Sequence, residues 1–327
     1  MKPNNPISAL FSPIFKLSLF LVTGWVLIYI IMLNTRSQTS QKVLSATHLL
    51  LTGDETGASA DFQQYLTQHS DDVNAYIQVG TIYLNNNHPH STAKIAEMAL
   101  HDIGSMSRSQ RARLYILLSL AYHKEGGEMQ KPALAAAHEA LGFEPKNPDA
   151  LNCLGYLMIS TSKSAEGISI GINYIEKAIS ENQQNIELRS DPTENAALND
   201  SYGWGLYNLS LYSAQPQALQ SLNHAQSVLK IASDEIPPKS PPELIKTINY
   251  HLAVTCYKTG HLNEALTALN TALLYDPASR ELLTLKSEIN QTVSPVKMLT
   301  VSTQKSRSPF SPLNRITVDT SSAVQDP

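Results

Sequence analysis

The chain carries little of what most enzymes advertise. It has no G-x4-G-K-[ST] phosphate cradle and no H-E-x-x-H pair, so neither a nucleotide's phosphates nor a zinc-activated water has its usual local holder. Cysteine is scarce: Cys153 and Cys256 are the only two, and no C-x2-C pair exists, which removes a zinc knuckle and a thioredoxin-like site. Charged residues make up 16%, against ~25% in ordinary soluble domains. Glycine is sparse at 14 of 327 residues, and the prolines cluster instead of spreading. Long Leu- and Ala-rich stretches with few breakers imply an all-α chain.

Charge is unevenly placed. Residues 1–38 carry Lys2, Lys16 and Arg36 and no acid, whereas residues 39–291 hold 17 Lys and Arg against 26 Asp and Glu, a net of −9. A body this acidic repels phosphate backbones, so nucleic acid is excluded as an expected partner.

One long apolar run is present, from Ile14 to Leu33. Twenty helical residues rise ~30 Å, the thickness of a bilayer's hydrocarbon core. Lys16 sits near its end, where its stem can snorkel to the headgroups. A cleaved signal peptide would have a shorter apolar region and a small-x-small site; the uncharged stretch Leu17–Leu33 is followed by NTRSQTSQKV, which has none. A buried core helix would show a polar face. The expectation is one transmembrane helix at 14–33 behind a short tail at 1–13. The flanking bases lean toward an exported body by a margin of one charge; a cytoplasmic body is the alternative.

Self-similarity then organises the rest. The clearest copy covers 252–277. Asn249-x2-Leu252-Ala253-x2-Cys256 fills a first helix, Gly260 a turn, and Ala265-x3-Leu269-x2-Ala272-x4-Pro277 a second helix and its exit. Small residues let two helices approach closely, Gly260 permits the turn, and Pro277 stops the second helix. More worn copies begin at Leu151, at Asn199, at Tyr115 and at Tyr76, and a degenerate pair covers 39–70 with Gly53 at its turn. That makes about six helix-turn-helix pairs over 39–291, closed by a cap helix at 278–292. The tail 292–327, rich in Ser, Thr and Pro, is expected to be disordered. RSDPTEN (189–195) and SDEIPPKSPPE (233–243) are read as loops. In this register the two cysteines lie two repeats apart, too far for a disulfide.

This spacing resembles that of tetratricopeptide-repeat (TPR) proteins, and it implies a TPR helical solenoid. DALNCLGYLM (149–158) and NDSYGWGLYNLS (199–210) also resemble repeats of membrane-anchored TPR proteins of the bacterial cell envelope. The heptose-lipid regulator that also combines an anchor with TPRs ends in a metal-binding cysteine knuckle. No such cysteines occur here, so that identity is disfavoured.

The resemblance implies that first helices line a concave groove. The stripe complementary to the packing stripe holds Asn152 and Tyr156 in one pair, Asp200, Trp204, Tyr207 and Asn208 in the next, and Tyr250, Tyr257 and Lys258 in the last. Aromatic and amide side chains suit a peptide groove; the competing reading is that the rings pack neighbouring helices together. Lys258 is the only base this stripe offers in the last three pairs, which disfavours a clamp for a terminal carboxylate. A neutral or mildly basic extended segment fits the acidic body better. His88-Pro89-His90 lacks acidic neighbours and is read as a solvated turn in preference to a metal site.

The expectations are therefore a membrane-tethered scaffold, not an enzyme, that binds a protein or peptide partner. No cofactor, metal or small-molecule substrate is expected. The implied location is the bacterial inner membrane with the body in the periplasm. The alternative is an accessory or regulatory subunit of an envelope secretion, polysaccharide or assembly machine.

Overall fold

The computed structural model describes residues 41–185 and 191–305, with side chains described through residue 292. The expected transmembrane helix at 14–33 lies outside the described residues, as do the tail at 1–13 and residues 306–327. Among the described residues no helix is long and apolar enough to cross a membrane.

Local chemistry sets where each helix starts. Helix α1 (41–51) turns at Gly53, φ +85°, into α2 (Glu55–Gln68), where the Asp54 carboxylate accepts the Gly57 N–H at 2.9 Å. Asp72 caps α3 (Val73–Asn85) through the Asn74 N–H, as acids do at a helix's positive end. Asn87, at φ +62°, makes the turn to α4 (Pro89–Asp102). Ser107 and Gln110 form a reciprocal capping box on α5 (Arg108–Glu125). Gly126 and Gly127 then lead through a 3-10 turn into α6 (Gln130–Phe143).

Asn147 caps α7 (Pro148–Thr161), and Ser164 caps α8 (Ala165–Gln184). Asp191 caps α9 (Pro192–Ser210), which returns through a longer turn into α10 (Gln217–Glu235). Next come α11 (Pro242–Lys258), Gly260 at φ +81°, and α12 (Leu262–Tyr275), which ends just before Pro277. The final α13 (Arg280–Lys305) covers the last pair. The described residues thus form six antiparallel pairs and a capping helix, and the only other helical turn among them is the 3-10 segment.

The packing register follows the small residues. In the first helices Gly80, Ser119, Gly155, Gly203 and Ala253 are all buried. In the second helices Ala99, Ala140, Ala178, Ala225 and Ala272 are wholly inaccessible. One small position per helix brings each pair together, and large side chains such as Leu154, Ile175, Leu229 and Leu269 fill the seams between pairs. No pair buries its apolar faces alone, so stability is shared between neighbours.

Three boundaries differ from the sequence reading. The expected loop at 189–195 is helical from Pro192, and the expected loop at 233–243 shrinks to 236–241. The reason is shared: Pro192 and Pro242 occupy the first turn of α9 and α11, where no N–H donor is needed and proline's fixed φ suits the helix. The cap helix runs on to Lys305 instead of stopping at 292. His88 is also not a solvated turn residue. Its ring packs edge-on to Tyr83 and its Nδ1 lies 3.3 Å from Glu55 Oε1, while His90 is exposed.

Candidate functional site

The first helices do not line an open groove. The superhelix winds tightly enough that α11 touches α3, and between them lies a cleft of about 560 Å³. Helices α3, α5, α7, α9 and α11 and the start of α13 all contribute to its wall. Across it, Lys124 Nζ at the end of α5 donates to Glu243 Oε1 at the start of α11, at 2.9 Å. Lys246 Nζ reaches the other oxygen of Glu243 at 2.7 Å and lies 3.5 Å from Asp276. The two ammonium groups hold the Glu243 carboxyl below its ordinary pKa, against the opposing effect of burial.

Of the residues expected to face a ligand, Asn152, Tyr156, Asp200 and Tyr250 meet in this cleft. Tyr250, Tyr257 and Lys258 line an adjoining hollow of about 590 Å³ between α11 and α13. Trp204, Tyr207 and Asn208 are taken up by packing. The Trp204 ring stacks on Tyr207 at 4.7 Å and on His251 at 4.0 Å, and Asn208 Nδ2 donates to the Trp204 carbonyl. Tyr207 is buried. For these three the packing alternative describes the geometry.

Electrostatics distinguish the cleft from the rest of the surface. His251 Nδ1 lies 2.9 Å from Asp200 Oδ1, with both side chains about as buried as core residues. Burial pushes the Tyr156 hydroxyl up to about 12. Tyr250 Oη donates to Glu281 Oε1 at 2.5 Å, and burial followed by that carboxylate raises its pKa. Asn152 Oδ1 is buried without a hydrogen-bond partner. Glu194, at the start of α9, faces Asp149 at the start of α7. Burial, then the Asp149 charge, pushes Glu194 up to about 8.

Glu194 therefore makes stability depend on pH. Its folded pKa lies above its ordinary value, so the native state holds a proton that the unfolded chain gives up. That contribution is complete below about pH 4.5 and is lost as pH rises toward 8. Glu194→Gln keeps the shape and stays neutral. Thermal melts at pH 5, 6, 7 and 8 are expected to show the variant overtaking the wild type at pH 8, with a flatter profile. A variant whose profile parallels the wild type would contradict the assignment.

Sequence reasoning missed Lys124, Lys246, Glu243, Asp149, Glu194 and His251. A signal for the acids was available: Pro148-Asp149, Pro192-Thr193-Glu194 and Pro242-Glu243 each open a first helix with proline followed by an acid. The expectation that Lys258 is the only base of the last three pairs' inner surface is corrected, since Lys246 also lies there, about three turns nearer the start of α11. Gly167-Ile168-Ser169-Ile170-Gly171 matches the G-x-S-x-G spacing of a nucleophile elbow, which needs a sharp strand-to-helix turn. Here the segment is inside α8, and Ser169 Oγ donates to the Ala165 carbonyl at 2.8 Å. Among the described residues no group of three or more His, Cys, Asp or Glu could hold a metal ion. Both cysteines are free and buried.

No family model and no curated protein matches the chain. Solved structures do. A chain of the APC/C hetero-tetramer Cut9–Hcn1 is 15% identical with a TM-score of 0.52, over 80% of this chain and 45% of that one. This protein thus spans a little under half of that chain's length. YrrB, described as a TPR protein with an unusual peptide-binding site, is 18% identical with a TM-score of 0.34, over 69% of this chain and 97% of its own. TTC0263, a thermophilic TPR protein in Thermus thermophilus, is 15% identical with a TM-score of 0.36, over 78% and 98%. At 15% identity the likeness to the hetero-tetramer's chain concerns fold alone, and the described body is an all-helical solenoid of stacked helix pairs with TPR-like spacing.

Proposed function

We propose that the protein is a scaffold whose ring of first helices holds an extended segment of a partner protein. We also propose that the apolar run at 14–33 tethers it to a membrane, with the body on the exported side of a bacterial inner membrane. The observation that carries the binding reading is the central cleft. It has the volume of a ligand site, and its wall combines aromatic rings, an unpartnered amide oxygen and charges from successive repeats.

Proximity labelling in cells with the wild type and with Tyr156→Ala plus Tyr257→Ala tests it. The paired variant is expected to lose its main partners while retaining the wild-type circular dichroism. Identical partner lists would remove the groove from the account. A topology reporter fused after residue 291 tests the sidedness separately.

The second reading is an accessory subunit of an envelope machine. It draws support from the α9–α10 corner, where Leu211, Tyr212 and Leu219 are each about half exposed. Apolar exposure grouped at one corner suits stoichiometric docking. Tyr212→Asp plus Leu219→Asp would then abolish co-purification with a single partner, which the groove variant would leave intact.

A further inference from the structure

The cleft already holds two ammonium groups, those of Lys124 and Lys246, and both rest on one carboxylate. Lys124 reaches across it from α5 and places its ammonium on Glu243, at the start of α11. The preceding first helices present acids at the equivalent end, Asp149 on α7 and Glu194 on α9, and all three acids line the same cleft. Among the described residues no Lys or Arg bridges Asp149 and Glu194, whereas Glu243 has two bases. The positive ends of α7 and α9 do not by themselves answer the pair's charge, because burial and the facing Asp149 carboxylate favour the protonated form of Glu194. One turn along α7 from Asp149, Asn152 holds a buried oxygen with no donor.

We propose that the Asp149–Glu194 pair is a recognition site for one arginine side chain of the partner's extended segment. The guanidinium would enter beside the Lys124–Glu243 contact, take the place of the shared proton between the two carboxylates, and donate to Asn152 Oδ1. A planar guanidinium with several fixed donors matches two carboxylates and an amide oxygen better than an ammonium does. This rests on the groove reading above and adds the chemistry of its occupant.

Other charges around the pair set the context. Asp191 lies close enough to raise Glu194 further. Asp200 is occupied by His251, and Lys246 by Glu243 and Asp276. His123 lies beside Tyr156 on the α5 wall. Among the described residues the bases of the cleft are thus answered within the fold, and the pair between α7 and α9 is the part still without one.

Because the arginine displaces a proton, binding tightens as pH rises. With Glu194 titrating near 8, affinity is expected to gain roughly tenfold or more between pH 6 and pH 8. The test begins with random dodecapeptides displayed on phage and panned at pH 8 against the full-length protein. The leading peptides are then synthesised and measured by fluorescence polarisation. The expected result is an arginine at one fixed position. Its replacement by citrulline costs about tenfold or more, as loss of a charge-assisted contact should. Glu194→Gln should erase both the arginine preference and the gain with pH, and the wild-type pH series needs no variant at all. Peptides that bind without a fixed base, or with the same affinity at both pH values, would overturn this site and leave the groove reading standing. A library that yields no binder would overturn both.

Discussion

Gly171→Val is expected to cost the protein at least about 4 kcal/mol and to melt the body tens of degrees early, or to prevent its folding. Helices α7 and α8 cross where two glycines meet. A Cβ on Gly171 would sit 2.7 Å from the Gly155 carbonyl oxygen and 2.8 Å from Ile159 Cγ1, and a Cβ on Gly155 would sit 2.7 Å from the Gly171 carbonyl oxygen. Neither helix can yield without giving up the contacts of Leu154, Ile159 and Ile175, which are almost wholly buried in neighbouring clusters. Because the obstacle is backbone, no rotamer change relieves it. Gly171→Ala meets the same carbonyl and should lose about 2 kcal/mol. Gly142 supplies the control: it lies on the exposed side of α6, and a Cβ there meets nothing within 4 Å. Gly142→Ala should stabilise by up to about 1 kcal/mol through helix propensity alone. Opposite signs for one chemical change, read as melting temperature by circular dichroism, would locate the close approach. Equal signs would refute it.

Asp200→Ala is expected to destabilise by about 3 kcal/mol and to alter the emission of Trp204. The substitution leaves His251 buried without the carboxylate at 2.9 Å, and it frees the imidazole that stacks on the indole at 4.0 Å. Asp200→Asn retains an oxygen acceptor for the imidazole N–H and should cost much less, about 1 kcal/mol. The chain has two tryptophans, so the emission is measured in a Trp25→Phe background. If Asp200→Ala and Asp200→Asn melt alike and leave the spectrum unchanged, the Asp200–His251 contact does not hold this wall of the cleft.

The two variants probe different levels of the fold. The glycine crossing was legible in the sequence: Gly155 and Gly171 fall at the small positions of a repeat, and the repeat was readable from spacing. The Asp200–His251 contact was not. Asp200 fell on the stripe assigned to the groove and His251 on neither stripe, because each helix was treated as an isolated wheel. In the fold, α9 and α11 lie side by side, and the neighbour converts Trp204 and Tyr207 from groove positions into an internal stack and pairs Asp200, on the cleft wall, with His251. A residue's angle about its own axis says which way it points and leaves open what it meets.

Sequence alone determined the helices, their pairing and their spacing, because those depend on interactions within about a turn or between adjacent segments. Small residues recur where two helices touch, apolar residues where pairs stack, and glycine at the turns after α1, α5 and α11. Tertiary structure alone decided that the groove closes. Lys124 and Glu243 are 119 residues apart, and what brings them together is the rotation between successive pairs, summed over three of them. A few degrees at each step would open the cleft by many ångströms, and no short stretch of residues encodes a quantity that exists only in the sum.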